Sequence, residues 1–295
     1  MNNNNPLSKL SFLTKITFLV SCFLVCFFLV VILFSVLSQK YGLTNNIILS
    51  QIALQNLLAF TLPAIIVTFF LKNKPFNYLG LNFVPPIKTI IFIVLLYFAS
   101  IPLMNMLIEI NENIKLPESF SVLEDILRAQ EEAAQAVTNR LINGISFLYL
   151  LVLILVVGIL TGFGEEIFFR GILFRLFIDK PMNKHIAIWA VAFIFSLMHF
   201  QFYGFLPRMI LGAIFGYLLL WTGNLWVPII CHALNNSLVL ISNFLIENRI
   251  ISENYSTLGS TNNMWWLAIV SAIVVAILIK YKNRFLQSKP GKSII

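Results

Sequence analysis

The chain has 295 residues, 59% of them hydrophobic and only 11% charged, where an ordinary soluble domain carries roughly a quarter charged. That balance excludes a water-soluble globule and requires an integral membrane protein. The formal net charge of +8 has no long basic cluster behind it and sits at the ends of apolar runs, which argues against nucleic acid as a partner and for a lipid bilayer.

About 20 helical residues cross a hydrocarbon layer of roughly 30 Å, and runs of that kind recur along the sequence. They predict spans near 16–37, 47–71, 88–108, 146–163, 186–200, 207–221, 227–246 and 264–280, an all-α, polytopic transmembrane bundle of about eight spans. The first run, from Ile16 to Leu37, follows Lys9 and Lys15 as a signal peptide would. Its core exceeds the 7–15 residues of a signal h-region and no small-residue cleavage site follows, so an uncleaved span is expected. The start, MNNNN, reads as a disordered tail and the basic C-terminus as a cytoplasmic anchor. Cys22, Cys26 and Cys231 all fall inside apolar runs and suggest buried small residues without a disulfide framework.

Between spans three and four, residues 118–142 form the most acidic part of the chain, with Val122, Ile126 and Leu127 in a helical rhythm. This predicts an amphipathic helix on the extracytoplasmic side, lying at the interface or serving as a solvated connector. With eight spans both termini share a side. That side collects thirteen of the twenty lysines and arginines, the other six, and Arg170 stands apart within a motif. The asymmetry predicts a multi-pass cell-membrane protein with both termini cytoplasmic. Trp221, Trp226, Trp265 and Trp266 cluster near span ends, where aromatic belts belong.

The stretch GFGEEIFFRG, residues 162–171, places two acids and a base where lipid-soluble residues would cost nothing. Glu166 and Arg170 are four apart with the acid first, the favourable order for an ion pair on one helical face. Glu165 is rotated by about 100° from its neighbour and needs another partner. An unpaired carboxylate near hydrocarbon is retained only where something uses it. The partners on offer are His199, in FIFSLMHF, and His232, in IICHALNNS. Phe195 and His199 are one turn apart, as are His232 and Asn236, which share a face better than Asn235 does. By chain direction Glu165 and His232 fall toward the cytoplasmic end and His199 toward the other, unless span five is short, tilted or begins deeper.

Elsewhere the reading is plainer. His185 sits at a span end and reads as interfacial. Arg208 opens span six and either snorkels to headgroups, the first reading, or meets a substrate carboxylate. Gly212 and Gly216 form a GxxxG packing device, and Cys231 lacks a base on its own face that would make it a nucleophile.

Taken together, Glu165-Glu166 with Arg170 (EExxxR), Phe195 to His199 (FxxxH) and His232 to Asn236 (HxxxN) resemble, in order and approximate spacing, the CAAX protease and bacteriocin-processing (CPBP, Abi) intramembrane proteases. TGNLWVPIICHALNN also looks like that family's third motif. The resemblance covers about residues 150 to 240 and implies peptide-bond hydrolysis of a membrane-associated peptide or protein, like that of a type II CAAX prenyl endopeptidase. It implies that Glu165 with His199 activates water, that His232 and Asn236 stabilise the oxyanion, and that Glu166 and Arg170 are structural supports. The division expected is 1–145 for N-terminal helices and the amphipathic connector, 146–246 for the catalytic core, and 247–295 for the last span and basic tail. The family is often labelled metalloprotease, and Glu165, His199 and His232 could together ligate a zinc ion. The absence of an HExxH pair favours a metal-free glutamate mechanism with no cofactor. The alternative is a noncatalytic transporter or immunity protein that uses the same polar cluster for binding, although no internal repeat points to a transporter.

Overall fold

A chain in hydrocarbon must satisfy every backbone N–H and C=O internally, so each apolar run becomes helix. The computed structural model describes residues 6–7, 9–179 and 182–286. The expected asparagine tail of residues 1–5, and the basic C-terminus beyond Leu286, lie outside the described residues. Nine longer helices are named here: α1 (Phe12–Tyr41), α2 (Asn45–Leu71), α3 (Ile87–Glu112), α4 (Ser121–Ile142), α5 (Phe147–Asp179), α6 (Lys184–Leu197), α7 (Phe205–Thr222), α8 (Trp226–Glu247) and α9 (Trp266–Lys280). Among the described residues α1, α2, α3, α5, α7 and α8 are long and apolar enough to cross a membrane. The apolar helices α6 and α9 have 14 and 15 residues, about 21–23 Å at 1.5 Å per residue. All eight expected spans therefore correspond to helices, six of full length and two short, in a multi-pass membrane protein.

One boundary is corrected. Span four, expected to stop at 163, runs on as α5 for 33 residues to Asp179. The charges at 165, 166 and 170 mark no membrane surface, because they are buried against other helices. The short α6 removes the apparent conflict in depth: it ends at Leu197, and His199 lies in the turn beyond it.

Small residues set how closely the helices approach. Gly162 lies against the backbone of α8, where an added Cβ would sit 2.9 Å from the Ala233 nitrogen, and Gly158 meets Ser237 one turn further on. Gly212 and Gly216 do pack as a GxxxG, against Ala192 and Ile188 of α6. On α3, Pro102 interrupts the ladder and Ser271 of α9 enters it. The Ser271 hydroxyl donates to the Ala99 carbonyl at 2.5 Å and accepts from the Leu103 N–H at 3.3 Å, which binds the two helices at the defect.

The start of α8 is fixed by its approach sequence. The Asn224 side chain caps the Trp226 N–H at 3.0 Å and donates to the Phe83 carbonyl at 3.1 Å. The Leu225 N–H reaches the Gly80 carbonyl at 3.0 Å and the Trp226 indole the Leu81 carbonyl at 3.1 Å. Gly80 has φ +81 and a Cβ there would meet the Gly223 oxygen at 2.9 Å, so only glycine fits.

Helix α4 follows a short 3-10 turn at 118–120 and half-buries Glu124, Arg128 and Glu131 while most of its other polar residues stay exposed. Arg128 pairs with Glu124 at 2.7 Å and lies 4.4 Å from the ring centre of buried Tyr203. The guanidinium beside Glu124, with the Leu116 N–H, holds that carboxyl below the usual carboxylate range. Phe120, Val122 and Ile126 stay exposed, the arrangement a helix resting on a bilayer surface requires.

Substituting Gly162→Val forces backbone against backbone, and its thermal unfolding midpoint in detergent should fall by several degrees. Leu155→Ala, at an exposed position of the same helix, should change it far less, and equal effects would remove the close-approach argument.

Candidate functional site

The site is assembled from the middle of α5, the turn after α6 and the first three turns of α8. In α5 the six residues Thr161–Glu166 are ordinary α-helix between two wider π-helical stretches, Ile154–Leu160 and Ile167–Leu173. A third lies on α2 at Gln55–Thr61. Such turns re-aim side chains and are frequent at functional sites. Gly164 lets α2 come close: a Cβ there would stand 2.8 Å from the Asn56 carbonyl oxygen.

The expected ion pair is formed, with Arg170 Nη1 donating to Glu166 Oε1 at 2.8 Å and both side chains essentially fully buried. Glu166 has a further role that the sequence did not reveal. The same Oε1 also accepts from His232 Nδ1 at 2.8 Å. Since a carboxylate can only accept, a proton is on Nδ1, and in the neutral tautomer that leaves Nε2 as an acceptor. The second guanidinium nitrogen of Arg170 donates to the Gly212 carbonyl at 2.8 Å. Its plane stacks near Phe195 and Phe215, at 4.6 and 5.5 Å from the ring centres. Phe215 also stacks on His232 at 5.1 Å. Helices α5, α7 and α8 thus meet at one carboxylate.

Glu165 faces inward and is 8% exposed. Its Oε2 has no hydrogen-bond partner among the described residues and stands 3.8 Å from His232 Nε2. His199 donates from Nδ1 to the Phe195 carbonyl at 2.8 Å, which leaves its Nε2 open. Phe195 joins the two imidazoles, with ring centres 5.0 Å from His199 and 5.9 Å from His232. Asn236 donates to the Val157 carbonyl at 3.2 Å and accepts from Asn235 at 3.1 Å, leaving one amide hydrogen uncommitted.

The turn that carries His199 is held on several sides. Phe200 takes φ +54, an uncommon conformation for a bulky residue. Ser196 donates to the Phe205 carbonyl at 2.7 Å, and Asn111 of α3 brackets the loop by bonding the Phe202 carbonyl at 3.0 Å and the Leu206 N–H at 2.6 Å. Gln201 donates to Glu131 of α4 at 3.1 Å. Arg208, expected first at the headgroups, turns onto this loop and donates to the Gln201 side chain at 2.9 Å. The His185 ring, by contrast, bonds Tyr217 at 3.0 Å, away from the site.

Sequence reasoning also passed over Asn56. It is 3% exposed and donates to the Ile52 carbonyl at 2.9 Å and the Thr161 hydroxyl at 3.0 Å, one helical turn before Glu165. An asparagine inside an apolar run was the available signal. Among the described residues no three His, Cys, Asp or Glu side chains group as a metal site requires. No chemical step is therefore derived through a metal.

Removing one partner of a buried ion pair costs about 3–5 kcal/mol because the other charge is stranded. Arg170→Met should destabilise by about that much in detergent unfolding, and adding Glu166→Met should recover a substantial part. A double variant no better than the single one would count against this account.

Residues 147–238 match the model of the family described as Rce1-like, type II CAAX prenyl endopeptidase. An uncharacterized protein of Bacillus subtilis (strain 168), YpbD, is 31% identical over 83 residues, which is 27% of this chain and 39% of that protein. The alignment thus spans well under half of the relative's length. No solved structure matches the chain significantly. The matched segment starts with α5, ends within α8 and contains all three motifs, so the likeness to the Rce1-like type II CAAX prenyl endopeptidases falls on the stretch that builds the site.

Proposed function

We propose that this protein is an intramembrane endopeptidase that hydrolyses a peptide bond of a membrane-associated peptide or protein, as a type II CAAX prenyl endopeptidase does. The observation that carries this reading is the Glu165 carboxylate. It is buried, faces inward, and is separated from His232 Nε2 by 3.8 Å, a gap that one water molecule bridges.

In the proposed reaction Glu165 accepts a proton from that water, and the oxygen adds to the scissile carbonyl carbon. The open Nε2 of His199 accepts the water's other hydrogen bond and orients it. His232, its Nδ1–H held by Glu166, takes a second proton from solvent on Nε2 before the substrate seals the site, and the imidazolium so formed presents that Nε2–H to the oxyanion. The uncommitted amide hydrogen of Asn236 is the second donor. Donors fixed before the charge develops contribute most to lowering such a barrier. When the tetrahedral intermediate collapses, the C–N bond breaks and Glu165 returns its proton to the leaving nitrogen. Glu166 and Arg170 orient His232 and do not react. The proposal treats 146–246 as the catalytic core and both termini as cytoplasmic, and it needs no metal.

Glu165→Gln keeps the shape of the side chain and removes its basicity. Turnover of a membrane-anchored peptide by purified protein should fall about 10²–10⁴-fold, with KM changed little. Activity at the parent rate would end the proposal. Full biological activity in a His199→Ala, His232→Ala double variant would instead favour a noncatalytic transporter or immunity protein.

A further inference from the structure

Arg208 is a half-buried cation with no carboxylate in contact with it. It makes no salt bridge among the described residues, and its hydrogen bonds go to the side chain of Gln201 at 2.9 Å and, weakly, to the Gln201 carbonyl at 3.5 Å. Two bonds leave most of the five guanidinium N–H donors free. Arg175 of α5 also lacks a salt bridge among the described residues and bonds the Leu79 carbonyl at 3.1 Å, but two arginines beside the site are better matched. Arg170 has Glu166, and Arg128 has Glu124.

The position of Arg208 is built, and it points to the site. A Cβ on Gly204 would come within 2.7 Å of Arg208 Nη2, so the glycine provides the space in which the guanidinium lies. Gln201, which holds it, is itself held by Glu131 of α4. Arg208 is close enough to interact electrostatically with Glu165, His199 and Glu131. It also lies in the first turns of α7, where the helix dipole favours a negative ligand and offers a cation nothing. A desolvated guanidinium is retained in such a place when an anion comes to it, and its fork of donors suits a carboxylate.

Resting on the peptidase reading, we infer that Arg208 is a specificity-determining residue that binds a carboxylate of the substrate near the scissile bond. That carboxylate is either the C-terminus of the peptide or an acidic side chain. Gln201 occupies the guanidinium until the substrate arrives, and Glu131 fixes Gln201. No bond is made or broken at Arg208; its contribution is to place the chain against Glu165.

The test uses one N-acylated, leucine-rich decapeptide in three forms: with a free C-terminal carboxylate, with a C-terminal amide, and with the amide plus one internal glutamate. The full-length protein in detergent should show kcat/KM about 10- to 100-fold higher for at least one carboxylate form than for the plain amide, the size of a charge-assisted hydrogen bond, expressed mainly in KM. Which form gains tells the C-terminus from the side chain. In Arg208→Gln the ratio should collapse to about one, and Arg208→Lys should retain part of it. Ratios make the result independent of any general loss of activity or folded fraction. Equal ratios in the parent protein and Arg208→Gln would overturn the inference. Binding of the same peptides to Glu165→Gln protein separates this inference from the reading beneath it. Carboxylate preference in binding that Arg208→Gln abolishes supports the subsite even if no peptide is cleaved, and equal binding of all three forms refutes the subsite even if all are cleaved.

Discussion

A single carboxylate oxygen organises the centre of this protein. Glu166 Oε1 accepts from both Arg170 and His232 at 2.8 Å in a region with essentially no solvent access. Moving one such charge out of water costs several kcal/mol, which attraction repays only with good geometry and further hydrogen bonds. Here the repayment is shared among three helices, since Arg170 continues to the carbonyl of Gly212 on α7 and His232 belongs to α8. Leucines in these places would pack as tightly but would fix neither the rotation of α8 nor the tautomer of His232. The charges persist in an apolar chain because they specify one arrangement of the helices.

That arrangement needs close approach, which comes from the smallest residues. Gly158 and Gly162 admit the backbone of α8, Gly164 admits that of α2, and Gly212 makes room for both Arg170 and Phe195. Between membrane helices, where lipid is as apolar as leucine, contacts of this kind supply much of the association energy. The π-helical stretches on either side of Glu165 and Glu166 change the pitch on both flanks of the motif. Sparse polar groups then match one another, as Asn56 and Thr161 do across α2 and α5. Small residues bring the backbones together, and polar residues fix the register.

Much of this was legible in the sequence, for physical reasons. Hydropathy marked all eight apolar helices because the cost of bare backbone in lipid leaves no alternative conformation. The i,i+4 spacing gave the Glu166–Arg170 pair because that contact lies within one helix. What the sequence hid were contacts between helices. Glu166 as a partner of His232, Phe195 touching both imidazoles and Arg208 turned toward the site each depend on a rotation that no local pattern encodes. Span four runs past its expected end because the charges of residues 165–170 are carried into the protein interior, so hydropathy falls there while the helix continues. His199 was hard to place in depth because α6 is too short to cross a full bilayer, and length is visible only once the helix is seen to end at Leu197.

Two identical neighbours, Glu165 and Glu166, end up with opposite duties because a helix turns by about 100° per residue. The second faces two donors and has its Oε1 filled; the first faces the unprotonated edge of the imidazole that the second has oriented. A carboxylate already engaged by two cationic or ring N–H donors makes a poor base and a good anchor. One without a partner, buried beside an open ring nitrogen, is the reverse. Each role depends on the other. If Glu166 did not hold Nδ1–H, His232 could turn or change tautomer and bond Glu165 directly, which would occupy the base before water arrived. The doubled acid of the motif is thus one unit, in which Glu166 keeps Glu165 free.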